Sequence, residues 1–337
     1  MEHIQKDDII IRKGILHILD SHTGYLGLSS QLLEMGPDLM EFVRGHIFKI
    51  MESDDAKRCQ FNGSVSPVLS LLESMEESDD ESFIEATRVL GENLFDIMCD
   101  SVTIPAADLL CVTFQVQSVI HIALLKMNYK VTYVHREEED AEANDIVKQR
   151  VMPTDSAKLT EAVIIDLTEY KVRLVEKKYE MLNGDKINYL SERFLQCYAD
   201  LAPKKKFQIL NKVINNHYPE DGIAKRLDMK SRLREEFTEN QAFKVNEIGD
   251  KLFGNHQGKK QEFDEKIERY DMQYDTFTVA KENTVKKLEY QMLETDTGIE
   301  IKIPMEEYNT KDNVEIIEEP GGGSTIIIKN IENVKIK

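Results

Sequence analysis

Nine cations stand close together between Pro203 and Arg234: Lys204, Lys205, Lys206, Lys212, Lys225, Arg226, Lys230, Arg232 and Arg234, against Glu220, Asp221 and Asp228. The window carries about +6 in a chain whose formal net charge is -19. Clustered lysine and arginine with few carboxylates between them is a pattern that neutralises phosphates, because each cation can displace a counterion condensed on a polyanion. On a helix beginning at Pro203, a favoured first position, Phe207, Leu210 and Ile214 share one face, while Lys205 and Lys212 point the opposite way. The apolar face can dock and leave the lysines in water. Screening confines each charge to about 8–10 Å at physiological salt, so a local patch can act within an acidic protein. The plain alternative is a solvated helix whose lysines pair with neighbouring carboxylates.

Other residue groups invite chemistry and fit it less well. Asp166 with Glu169-Tyr170-Lys171, and Glu300-Ile301-Lys302, resemble pieces of a metal-dependent nuclease. Such an enzyme needs two carboxylates on one divalent ion with a lysine beside the attacked phosphate. Asp166 and Glu169 are three apart on one predicted strand, which sends them to opposite faces. Gly321-Gly322-Gly323-Ser324 precedes the strand-like Ile326-Ile327-Ile328, whereas a phosphate loop must open a helix, so a turn before a strand is expected. The eight histidines, among them His17, His22, His217 and His256, form no ligand pattern, and no GxSxG, HExxH or CxxC occurs. Cys59, Cys99, Cys111 and Cys197 are far apart and read as reduced core residues. No metal or cofactor is expected. "FKVNEIGDKLFGNHQGKKQEFDEKIERY" carries two helical patterns about "GNHQG" and is compatible with a helix-turn-helix, though its second helix holds as many acids as bases.

The elements that must position these residues follow from patterning. At 337 residues and 41% hydrophobic, with thirteen phenylalanines and twelve tyrosines, the chain can bury a core and is long enough for two domains of the usual ~100–200 residues each. Gly14–Leu19 and Tyr25–Leu28, separated by "DSHTG", predict an opening hairpin. Helices are expected in "LMEFVRGHIFKIM", capped by Asp38, in "SPVLSLLESM", and in "ESFIEATRVLGENLFDIM". "DLLCVTFQVQSVIHIALLK" and "YKVTYVH", joined by "MN", predict a second hairpin, and "REEEDAEAND" a solvated connector; "EAVIIDLTEY" and "KVRLVEKKYEML" predict a further strand pair.

From "NGDKINYLSERFLQCYADLAP" the period turns helical, with Ile187, Leu190, Phe194 and Tyr198 on one face, and the helical region continues to about Leu293. The tail returns to strands from about residue 298. The expectation is an α+β protein: a mixed α/β domain with antiparallel strands over 1–183, then a mainly helical domain over 184–337 that ends in β-strands. The amino terminus has no signal-peptide pattern and no apolar run approaches the ~18 residues of a membrane span, so a cytoplasmic location is expected.

Several segments, in order, resemble the bacterial 37-kDa nucleoid-associated protein family, the NdpA/YejK group. "ILHILD" looks like its opening strand, "DLLCVTFQVQSVIHIALLK" like its central apolar hairpin, and "IIDLTEY" is similar to its I-D-L-T-E segment. "LSERFLQCY" looks like its aromatic-rich helix and "GGGSTIIIK" like a glycine-rich turn before a late strand. The resemblance implies a DNA-binding protein of the nucleoid without established catalysis, and brings no residue-level DNA motif with it. The first expectation is therefore largely sequence-nonspecific binding of double-stranded DNA through Lys204–Arg234, with a homodimer doubling the patch. The second is an acidic protein-interaction module of DNA metabolism or phage defence, with a protein partner from DNA metabolism. The third is a metal-dependent nuclease.

Overall fold

The computed structural model describes residues 4–136, 145–216, 222–280, 286, 288–309, 312–319 and 323–333. The acidic connector expected at 137–144 lies outside the described residues, as do Gly321 and Gly322 of the glycine run. The chain divides into two compact units, Met1–Leu201 and Ala202–Lys337, so the first extends past the expected boundary at 183.

The first unit is built on one sheet of eight strands, every neighbouring pair antiparallel, in the order β12-β3-β9-β8-β5-β4-β1-β2. These strands are β1 (Ile9–Asp20), β2 (Tyr25–Gly27), β3 (Lys57–Phe61), β4 (Ala107–Val116), β5 (Val119–Asn128), β8 (Ala162–Asp166), β9 (Val172–Val175) and β12 (Cys197–Ala199). The opening hairpin forms as expected, with Leu19 opposite Leu26. The second hairpin does not turn at "MN". It turns at Gln117-Ser118, inside the long apolar run, so that β4 pairs with β5 through ten rungs, and Gln117 takes the left-handed backbone this tight turn requires. "YKVTYVH" instead forms β6 (Lys130–Arg136), which pairs with β7 (Asp145–Val151) as a separate ribbon.

Helices cover both faces of the sheet. α1 (Pro37–Met51) starts with Gly36 at its cap rather than Asp38, whose carboxylate lies in the first turn. α2 (Pro67–Ser74) is capped by Ser66, whose hydroxyl accepts from Leu69 N–H at 3.2 Å. α3 (Asp80–Cys99) is capped by Asp79 through Ser82 N–H at 3.0 Å. Phe83, Thr87, Leu90, Leu94 and Met98 recur every three or four residues along α3, and their burial beside Ile15, Leu109 and Ile122 makes one half of the core. Val43, Ile47 and Ile50 of α1 pack with Val112, Ala123 and Ile164 on the other face. All four cysteines are free; Cys59 and Cys111 are buried as expected, but Cys99 is exposed.

Residues 184–201 are not helical as their spacing predicts. They form β11 (Lys186–Ile187), paired with β10 (Tyr179–Glu180), then a π-helical turn (Leu190–Phe194) and the edge strand β12. Two buried carboxylates bind this segment to the sheet. Glu161, fully buried, accepts from Tyr189 Oη at 2.5 Å, Tyr179 Oη at 3.0 Å, Asn128 Nδ2 at 2.5 Å and Lys126 Nζ at 3.3 Å. Lys126 completes its three donations to Asn128 Oδ1 at 2.6 Å and Pro105 O at 3.0 Å. Glu176 accepts from Lys57 at 2.7 Å and from both the N–H and hydroxyl of Ser191, at 3.0 and 2.8 Å.

The second unit holds α4 (Pro203–Asn216), α5 (Ile223–Asn240), α6 (Val245–Phe253) and α7 (Gln257–Glu268). The helical region gives way to strand earlier than Leu293: β13 (Phe243–Lys244) pairs with β14 (Thr276–Phe277), and β15 (Tyr290–Glu294) with β16 (Glu300–Pro304). β17 (Val314–Glu318) and β18 (Ser324–Ile328) close the chain as the expected terminal strands. Phe243 meets the rings of Phe207, Phe237 and Phe277 at 5.5, 5.0 and 5.3 Å. Leu227 of α5 packs with Ile303, Met305, Tyr308 and Val314 in a second cluster. Glu318 receives Ala224 N–H at 3.1 Å, which satisfies a free donor at the start of α5.

Burial alone would raise the Glu161 carboxyl, but Lys126 and the three hydrogen-bond donors outweigh it and hold the group below the ordinary carboxylate range. Glu161→Gln leaves a buried ammonium short of its counter-charge and should lower stability at pH 7 by about 3 kcal/mol in urea unfolding. A carboxyl held low contributes fully at neutral pH and loses that contribution as pH falls through its folded value, so between pH 7 and about 3 the variant should lose less stability than the wild type.

Candidate nucleic-acid interface

α4 is amphipathic in the sense its sequence predicts. Phe207, Leu210 and Ile214 are buried, together with Ile209 and Val213. Lys205, Gln208, Lys212 and Asn215, spaced three, four and three apart, are exposed along one stripe. On α5, Arg226 and Lys230 stand one turn apart, next to the apolar Leu227 and Leu233.

These two helices and β15 enclose an open groove of about 780 Å³. Its floor is apolar, including Phe207, Leu227, Leu233 and Leu293, and its walls carry the amides of Gln208, Asn211, Asn215 and Gln291. The charged residues that line it are Lys212, Arg226 and Lys230; no carboxylate lines it among the described residues. Lys230 is half-buried, and its Nζ donates to Tyr290 O at 2.7 Å and Gln291 Oε1 at 2.9 Å. Burial pushes its pKa down to about 8. Such a groove can hold phosphate oxygens with cations and amide N–H groups, and can bury sugar or base surface on its floor.

The structure thus brings together three of the nine cations in the Lys204–Arg234 window, and Lys205 continues the α4 stripe beyond the groove. The others do not line it. Lys206 is tied to Asp275 at 2.9 Å, Arg232 donates to Lys251 O at 3.3 Å, and Arg234 lies 3.9 Å from Glu306. Lys204 is half-buried and Lys225 exposed, both outside the groove lining. Gln208, Asn211 and Asn215 give no compositional signal because their amides are uncharged, although Gln208 and Asn215, four before and three after Lys212, share its face. Gln291 comes from a strand far along the chain.

The residues read as nuclease fragments have other work. Asp166 Oδ1 accepts from the N–H groups of Thr168 and Glu169 at 2.7 and 3.1 Å, which shapes the β8–β9 turn, and Glu169 pairs with Lys171 in solvent. Among the described residues no three His, Cys, Asp or Glu side chains are grouped to hold a metal. His17 and His46 are buried and pushed down to about 4, first by burial, with Arg88 and Lys49 respectively adding to it. α6 and α7 do form a helical hairpin about Gly254–His256, but α7 exposes Glu262, Glu265 and Glu268, which would face phosphates with like charge if it entered a groove. No helix among the described residues is long and apolar enough to cross a membrane.

Among curated proteins none matches this chain. A family model does: that of the nucleoid-associated protein YejK, which aligns with residues 15–335. The match runs through both units and takes in "IIDLTEY", the π-helical turn, the cationic groove and the late strand after the glycine run. The chain belongs to the YejK family of nucleoid-associated proteins.

Proposed function

We propose that the protein acts in the nucleoid by binding double-stranded DNA largely without regard to sequence, and without catalysing a reaction on it. The observation that carries this reading is the groove between α4 and α5, whose charged lining is wholly cationic among the described residues of a chain with net charge -19. Lysine, arginine and amide donors on a helical stripe suit phosphate oxygens, which present the same face at every base pair. The acidic remainder of the surface repels the duplex elsewhere and so favours one mode of approach. Assembly as a homodimer belongs to the same proposal, because two such grooves on one duplex raise the effective concentration of the second.

The test is titration of a labelled duplex with the full chain at several salt concentrations. Lys212→Glu/Arg226→Glu should weaken binding at least about tenfold near 100 mM salt and reduce the slope of log K against log salt by about 2, while Lys186→Glu on the first unit leaves both unchanged. Intact binding in the double variant would end this assignment and turn attention to a basic protein partner for the acidic surface. Binding should also weaken as pH rises from 7 to 9, because Lys230 loses its charge through about 8. Lys230→Arg should flatten that dependence, since guanidinium stays protonated across the range.

A further inference from the structure

A second groove lies in the first unit and shares no residue with the cationic one. β3 and β9 are paired so that Arg58 stands directly opposite Arg173, with Cys59 opposite Val172 in the next rung. Cys59 and Val172 are buried in the face covered by α3, so alternation sends both arginines to the other face. On that face α1 ends at Met51, and past it the sheet is left open over a groove of about 640 Å³ lined by both arginines.

Like charges directly opposite on neighbouring strands weaken a sheet, and a local departure of this kind is where a functional demand is expected. An anion set between two guanidinium groups removes the repulsion and gains charge-assisted hydrogen bonds from both. Burial and Arg58, in that order, already hold the Arg173 guanidinium below its ordinary range, with Glu52 acting the other way. Of the carboxylates lining the groove, Asp166 is engaged by the β8–β9 turn and Asp200 is exposed after β12.

The groove is larger and more apolar than a bare anion needs. Met51, Val119 and Ile164 line it, and Tyr198, 71% exposed on the edge strand β12, stands opposite Gln60. His121 is stacked on Phe114 at 5.0 Å and donates from Nδ1 to Val119 O at 3.2 Å. Burial keeps its pKa low, so the neutral ring leaves Nε2 as an acceptor. An aromatic platform, an amide and an imidazole acceptor beside an arginine pair suit a flat heterocycle joined to a phosphate. We propose that this groove binds a mononucleotide, its phosphate between Arg58 and Arg173 and its base on the apolar floor beside Tyr198.

The test is calorimetric titration of the full chain with AMP, GMP, CMP and UMP, with adenosine and inorganic phosphate as partial ligands, at constant ionic strength. At least one mononucleotide should bind ten-fold or more tighter than phosphate and than adenosine. Arg58→Ala should weaken that binding about ten-fold or more. Arg173→Lys should weaken it as well, since an ammonium cannot offer two parallel donors. Lys212→Glu in the other groove should leave it unchanged, which separates this site from DNA binding. Absence of saturable binding by all four nucleotides would overturn the proposal. So would phosphate binding as tight as any nucleotide, or wild-type affinity in both arginine variants.

Discussion

A carboxylate buried in a protein interior is tolerated only when its charge is matched and its lone pairs are filled, and Glu161 imposes that condition on the first unit. Its partners are recruited from β5, from β10 and from the residue preceding the π-helical turn, so the network forms only when these segments have converged. Glu176, after β9, repeats the device, gripping the start of the turn through Ser191 while Lys57 reaches it from β3. Between them the two carboxylates hold residues 184–201 against the sheet, which places β12 at the edge and Tyr198 at the rim of the arginine groove. Apolar packing alone would leave that segment free to slide, because burial energy has no direction whereas these hydrogen bonds do.

The second unit uses charge differently. Several of its cations tie elements together. Lys206 with Asp275 and Arg234 with Glu306 join segments distant in sequence, and Arg232 fastens α5 to the end of α6 through a carbonyl. Such partly exposed pairs contribute little each, about 1 kcal/mol or less. The cations that line the groove are Lys212, Arg226 and Lys230, and Lys230 itself joins α5 to β15 through Tyr290 O and Gln291 Oε1.

Much of this architecture is legible in the amino-acid sequence, and the failures have identifiable causes. The opening hairpin, α1, α3, the β8–β9 pair and the apolar face of α4 follow from residue period, which acts locally, although α1 is capped by Gly36 and not by Asp38. The β4–β5 turn was misplaced because both strands are buried on both faces, which removes alternation, and because Gln117-Ser118 lacks the glycine or asparagine that announces such a turn. Ile187, Leu190, Phe194 and Tyr198 sit at helical spacing by coincidence; what shapes their segment is hydrogen bonding to Glu161 and Glu176, partners no local window contains. At the candidate interface, charge counting treats nine cations as one patch where three line the groove, since distance in sequence cannot tell a lysine facing a groove from one facing an aspartate.

The pairing of β1 with β4 has a consequence for synthesis. The long strand Ile9–Asp20 is made first, yet the strand that completes its ladder begins at Ala107. At about 5–20 residues per second on the ribosome, the gap leaves β1 without its principal neighbour for roughly 4–17 s. Only the short β2 is available to it in that interval, and the nascent chain presents unpaired N–H and C=O groups beside Ile9, Ile11, Ile15 and Leu19. α1 and α3 leave the ribosome before β4 and can shelter those apolar side chains, but neither can satisfy the strand's backbone edge. That edge is where premature encounters between nascent chains would begin.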